Sequence, residues 1–231
     1  MISWLLDPAN WSGPSGIPVR LEEQVGISAI SLLIAAAIAL PVGLWIGHTG
    51  RGATLAINLA NVGRAIPSFA AIGIVLPITQ AIDPQLGFKV YPTLVAMVIL
   101  AVPPILVNAY AGVAGVDREL VEAARGLGFR ERQILVQVEV PIALPVIAGG
   151  LRSATVQVIA TATLGAIFGF GGLGTYLVFG VAQRDDGMLL GGVFLVAALA
   201  LVAEGAFALG QRLLTSPGLR LAASSDEAAP A

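Results

Sequence analysis

The chain contains no cysteine and a single histidine, and only 11% of its residues are charged. Without thiols there is no disulfide, no zinc-thiolate site and no thiol nucleophile, and the redox compartment stays open. No apolar run carries paired carboxylates or a His–Glu metal spacing, so neither an intramembrane enzyme nor a bound metal or cofactor is expected. His48 stands alone at the end of the first apolar run, where a lone interfacial histidine is expected to be inert. The net charge of −2 gives no support for a nucleic-acid partner. Aromatic residues make up 6% of the chain and form no Trp and Tyr cage within a run, the arrangement that would hold a permanent cation. The N-terminus "MISWLLDPANWSGPSG" has no basic residue ahead of its short apolar stretch, so it does not read as a cleaved signal peptide. Trp4 and Trp11, set among Pro and Gly, suit a segment at a membrane surface.

What the chain has in abundance is apolar surface. It is 57% hydrophobic with a mean hydropathy of +0.90, too apolar to cover a water-soluble globule. Five stretches reach or approach the roughly 20 apolar residues that a crossing helix needs, at about 25–47, 65–82, 91–113, 153–172 and 188–210. A sixth crossing requires 53–64 to span separately, which the 28 residues from 53 to 80 hardly accommodate. The expected fold is therefore all-α and polytopic: an N-terminal segment at 1–24, a transmembrane domain at 25–213 and a tail at 214–231. The end of that tail, "LAASSDEAAPA", has the small and acidic composition of a disordered segment. Prolines 41, 67, 77, 103 and 104 fall inside runs, where neighbouring helices must satisfy the freed carbonyls, and small residues beside them allow close helix approach.

Arginine placement orients the chain. Arg51, the 114–142 loop and the tail hold most of the positive charge, whereas Arg20, Lys89 and Arg184 on the other side are diluted by acids. By the positive-inside rule the 114–142 loop is cytoplasmic, with the N-terminus outside and the C-terminus inside.

That loop is the most charged part of the chain. Between 117 and 132 stand Asp117, Arg118, Glu119, Glu122, Arg125, Arg130, Glu131 and Arg132. "DRELVEAARGL" reads as an amphipathic helix with Leu120, Ala123, Ala124 and Leu127 on one face, and "RERQILVQVEV" as a second that Pro141 should stop. Such a hairpin suits a partner's groove. Glu122-Ala123-Ala124, three residues, Gly128, nine residues and then Val138-Glu139-Val140-Pro141 follow the pattern E-A-A-x3-G-x9-I-x-L-P, with Val replacing Ile and Leu. The segment resembles the EAA loop of ABC importer permeases. Residues 122–174, with 61–78 and 112–128, further resemble the permeases of osmoprotectant importers that carry glycine betaine, carnitine or choline; methionine-type importers share the loop and a similar "GGLG" segment.

The resemblance implies a type I ABC importer permease that hydrolyses nothing itself. Its expected partners are an ABC ATPase subunit, a second permease subunit (identical or paralogous), an extracytoplasmic substrate-binding protein and membrane lipid. Glu122, Ala123, Ala124, Gly128, Val138 and Pro141 would couple to the ATPase, and driving the inward–outward switch from 1:99 to 99:1 would take about 5.5 kcal/mol of differential binding. Pathway-lining candidates are Thr155, Gln157 and Thr161, with Thr163 nearby, and Asn61 and Arg64, with Asn58; interhelical hydrogen bonding explains the polar residues of the fourth run equally well. Glu204 should snorkel to the boundary or pair with Arg212. The glycine-rich "FGFGGLGTY" follows no strand and has no P-loop lysine, so it suits a turn at the outer mouth and not a nucleotide site. A stand-alone channel or carrier would need acidic residues at mid-membrane, for which only Glu204 is a candidate.

Overall fold

The computed structural model describes residues 1–214, excluding the side chains of Leu55, Ala56, Leu59, Val62, Arg64 and residues 212–214. The expected tail, with Arg220, lies outside the described residues. Every regular element among them is helical: α1 (Ile2–Leu6), α2 (Ile17–Thr49), α3 (Ala53–Ala65), α4 (Ser68–Ile82), α5 (Leu86–Lys89), α6 (Tyr91–Ala114), α7 (Arg118–Gly126), α8 (Glu131–Ile134), α9 (Val140–Gly165), α10 (Gly174–Gln183) and α11 (Asp186–Leu214).

Four helices are long and apolar enough to cross a membrane: Ile17–Thr49, Tyr91–Ala114, the composite Glu131–Phe168 and Asp186–Gln211. Of the stretch expected as one crossing at 65–82, Ser68–Ile82 forms α4, and Ile66, held extended by the following Pro67, separates it from α3, which occupies the segment weighed for a sixth crossing. The 13 residues of α3 and the 15 of α4 reach only about 20 and 22 Å, short of a full bilayer each.

The core is a bundle of α2, α6 and α9, built on small residues. Ala35, Ala39, Ala101, Ala154 and Ala162 are fully buried with Met97, Ile105 and Val158 between them. Glycine sets the helix spacing. A Cβ on Gly43 would stand 2.7 Å from the Ala109 Cβ and 2.8 Å from the Leu106 carbonyl; one on Gly150 would stand 2.6 Å from the Asn108 Cβ. In a membrane, where apolar area alone does not drive helices together, this backbone approach provides the packing.

Pro141 does not end the helix it was expected to stop. Leu135–Glu139 form a π-type turn, and α8, this turn and α9 run on as one rod from Glu131 to Phe168. The wider turn shifts the carbonyl that a proline ring would otherwise strike, so the missing N–H is absorbed where the ladder already skips a residue. The fourth crossing is consequently continuous with the charged loop and ends at Phe168, before the glycine turn.

That turn is tied to α2. Gly169, Gly171 and Gly172 take positive φ. The Gly172 N–H donates to Glu23 Oε2 at 2.8 Å and the Leu173 N–H to Gln24 Oε1 at 3.2 Å. Gln24 is fully buried and donates in turn to the Ile159 carbonyl at 2.9 Å, so one side chain joins the start of α2, α9 and the turn.

Candidate functional site

The six expected coupling residues share one exposed protrusion. Asp117 caps α7 by accepting from the Glu119 N–H at 2.9 Å. At the other end Gly128 takes φ +87°, its N–H bonding the Arg125 carbonyl while the Phe129 N–H bonds that of Ala124. This is a Schellman ending, and it requires a left-handed residue at position 128. Ala124 is buried against the loop, whereas Glu122, Ala123, Gly128 and Pro141 are exposed and Val138 is half-buried. Of the predicted apolar face, Leu120 (51%) and Leu127 (80%) remain exposed, beside Val136 (56%). The charged element thus presents an apolar edge to its surroundings.

Arg125 forks onto Glu131, with Nε at 2.8 Å and Nη2 at 3.0 Å, bracing α7 against α8. The hydrogen bond to Glu131, and then its charge, push the Arg125 pKa up further from its ordinary value, so this guanidinium never titrates.

His48 is not inert. Its Nδ1 lies 2.6 Å from Glu139 Oε2 and its Nε2 3.3 Å from Glu131 Oε2. The end of α2 is thereby joined to both ends of the α8 and π-turn segment. Glu139, the variable position between Val138 and Val140 at the end of the loop pattern, is buried. A polar cavity of about 360 Å³ opens beside it, lined by His48, Tyr110, Arg118, Glu122, Arg125 and Glu139 among others. Composition could not pair residues 91 positions apart; the signal available was an acid between the two valines, Val138 and Val140, that lead into the apolar run.

The pathway candidates lie on α3 and α9. Thr155 and Thr161 are buried, their hydroxyls donating to the carbonyls of Leu151 and Gln157 at 2.8 and 2.9 Å; Thr163 donates to Ile159 and accepts from Gln24. Gln157 is half-buried, Asn58 and Asn61 are exposed on α3, and the Arg64 side chain lies outside the described residues.

Glu204 pairs with Arg152; the side chain of Arg212, the partner expected from the sequence, lies outside the described residues. Arg152 Nε donates to Glu204 Oε1 at 2.9 Å, and a second guanidinium nitrogen contacts the same oxygen. Arg152 sits about 18 Å from one end of α9 and about 20 Å from the other, near the middle of that helix. On insertion scales an arginine there costs roughly 2.5–3.5 kcal/mol. Arg152 falls one position outside the apolar run read from the sequence, which hides it from a search for polar residues within runs; an arginine inside "GGLRSATV" was the available sign.

Several apolar helices long enough to cross a membrane, with a charged loop continuous with one of them, describe a multi-pass membrane protein. Residues 39–216 match the family described as binding-protein-dependent transport system inner membrane component, and the chain belongs to it. It is 33% identical over 201 residues to the choline transport system permease protein OpuBB of Bacillus subtilis, covering 87% of this chain and 89% of that one. It is 36% identical over 193 residues to the carnitine transport permease protein OpuCB of Listeria monocytogenes (84% of each). To the osmoprotectant import permease protein OsmW of Salmonella typhimurium it is 33% identical over 219 residues, covering 95% of this chain and 99% of that one. Among solved structures, an inward-facing MetNI methionine ABC transporter chain superposes with a TM-score of 0.78 at 23% identity, covering 91% of this chain and 99% of that one, which shows the shared fold.

Proposed function

We propose that this chain is the permease subunit of an ATP-driven importer for osmoprotectants, compact quaternary ammonium solutes such as glycine betaine, choline and carnitine. The observation that carries this reading is near full-length similarity to permeases named for those solutes, together with the outward-facing EAA-type loop. ATP is hydrolysed in a separate subunit, into whose cleft Leu120, Ala123 and Leu127 fit, with Gly128 setting the angle between α7 and α8. Glu122, Val138 and Pro141 flank that contact. A substrate-binding protein delivers solute from outside, and a second permease chain completes the pathway. The loop and the C-terminus are cytoplasmic and the N-terminus is outside, in keeping with the arginine bias.

The methionine alternative rests on fold alone. Deleting the gene for this chain tests the reading: uptake of labelled glycine betaine, choline or carnitine should be lost while methionine uptake is unchanged. Loss of methionine uptake alone would overturn the substrate class.

A further inference from the structure

The Arg152–Glu204 pair is unlike a structural ion pair inside a helix bundle, because it is open. Its side chains keep 38% and 37% of their surface exposed. A concavity of about 410 Å³ lies against them, bordered by Gly149, Ser153 and Val156. Glycine and serine keep that flank low, so a small molecule could reach both charges. Hydrocarbon is a poor neighbour for this surface, since charges within a membrane face water, protein or a cargo. Thr155 and Thr161 are buried with their hydroxyls engaged by carbonyls and do not border this concavity, whose polar lining is Arg152, Glu204 and the exposed Ser153.

We propose that Arg152 and Glu204 form a transit site for a zwitterionic solute, the guanidinium taking its carboxylate and the Glu204 carboxylate its ammonium. The inference rests on the osmoprotectant reading above and deepens it. A compact zwitterion presents the same two charges as the pair in the opposite sense, so it can insert without leaving a net charge in the membrane. A quaternary ammonium has no N–H to donate, so it holds Glu204 less tightly than Arg152 does, and the pair recloses as the solute moves on. Choline lacks the carboxylate and engages Glu204 alone. Arg152 is therefore a specificity-determining residue that favours glycine betaine over choline.

The test uses the complete transporter, this chain with its ATPase and binding protein in proteoliposomes, and labelled glycine betaine and choline. R152Q/E204Q keeps the shape of the pair and strands no charge. It should reach the membrane in normal amount and lose roughly tenfold or more of kcat/KM for glycine betaine, the scale of a charge-assisted hydrogen bond. R152Q should lose glycine betaine transport by a similar factor and choline transport by less than about threefold. Wild-type glycine betaine kinetics in the double variant, or equal losses for both solutes in R152Q, would overturn the site while leaving the osmoprotectant reading intact. If the unaltered transporter takes up neither solute, both fail together. An independent readout does not depend on the charge variants folding. The chain has no cysteine, so Ser153→Cys is a single thiol handle. A charged methanethiosulfonate reagent should label it, and glycine betaine should slow the labelling; absence of reaction would mean that lipid or protein covers this face and would overturn the site.

Discussion

His48 Nδ1 and Glu139 Oε2 lie 2.6 Å apart, joining the end of α2 to the π-type turn that leads from the charged loop into α9. Any displacement of the loop by a partner therefore reaches two spans at once, α9 through the continuous rod and α2 through this contact. Replacing His48 by Leu would leave the buried Glu139 carboxylate without its partner, at a cost of about 1–3 kcal/mol. H48L should lower the melting temperature of the detergent-solubilised transporter and reduce the solute moved per ATP hydrolysed, with E139Q milder. An unchanged transport-to-ATPase ratio in H48L would show that the contact carries no motion.

Gly128 tests the loop geometry. Its φ of +87° with nothing near a prospective Cβ makes the requirement conformational and not steric. G128V should cost about 1–2 kcal/mol locally, abolish uptake and leave membrane insertion intact; Asn, which tolerates the left-handed region, should retain most activity. Immunodetection in membranes alongside uptake separates the two effects.

Leu127 tests the docking surface. At 80% exposure it contributes little to this chain's own packing. Burying such a side chain against a partner is worth about 1.5–3 kcal/mol, so L127D should weaken co-purification of the ATPase by roughly tenfold or more without altering the permease's melting temperature. Equal capture by wild type and variant would place the contact elsewhere.

The α2–α6 seam tests the fold. G43L places a side chain where even a Cβ would come within 2.8 Å of the Leu106 carbonyl, so it should sharply reduce the folded protein recovered from membranes. Gly26, with nothing within 4 Å of the place a methyl group would take, should accept Ala without loss.

The class of protein and the charged helical loop are legible because both are written in local patterns: runs of apolar residues near bilayer length, and a fixed spacing from Glu122 to Pro141. What stays hidden depends on distance or on local geometry. Pro141 reads as a helix stop until a π-type turn absorbs it. His48 looks unused until its partner arrives from residue 139. Arg152 escapes notice because the apolar run begins one residue later, so its contact with Glu204 is not read from the sequence. Thr155 and Thr161 read as polar lining, but their hydroxyls bond within their own helix, an alternative that spacing alone cannot distinguish.

The most direct test is ATP-dependent uptake in proteoliposomes that contain this chain, its ATPase and its binding protein, with labelled glycine betaine, choline, carnitine and methionine offered in turn. Accumulation of one or more quaternary ammonium solutes, dependent on ATP and on the binding protein, with no methionine uptake, is the predicted result. Accumulation of methionine alone, or quaternary ammonium uptake that persists without the ATPase, would contradict it.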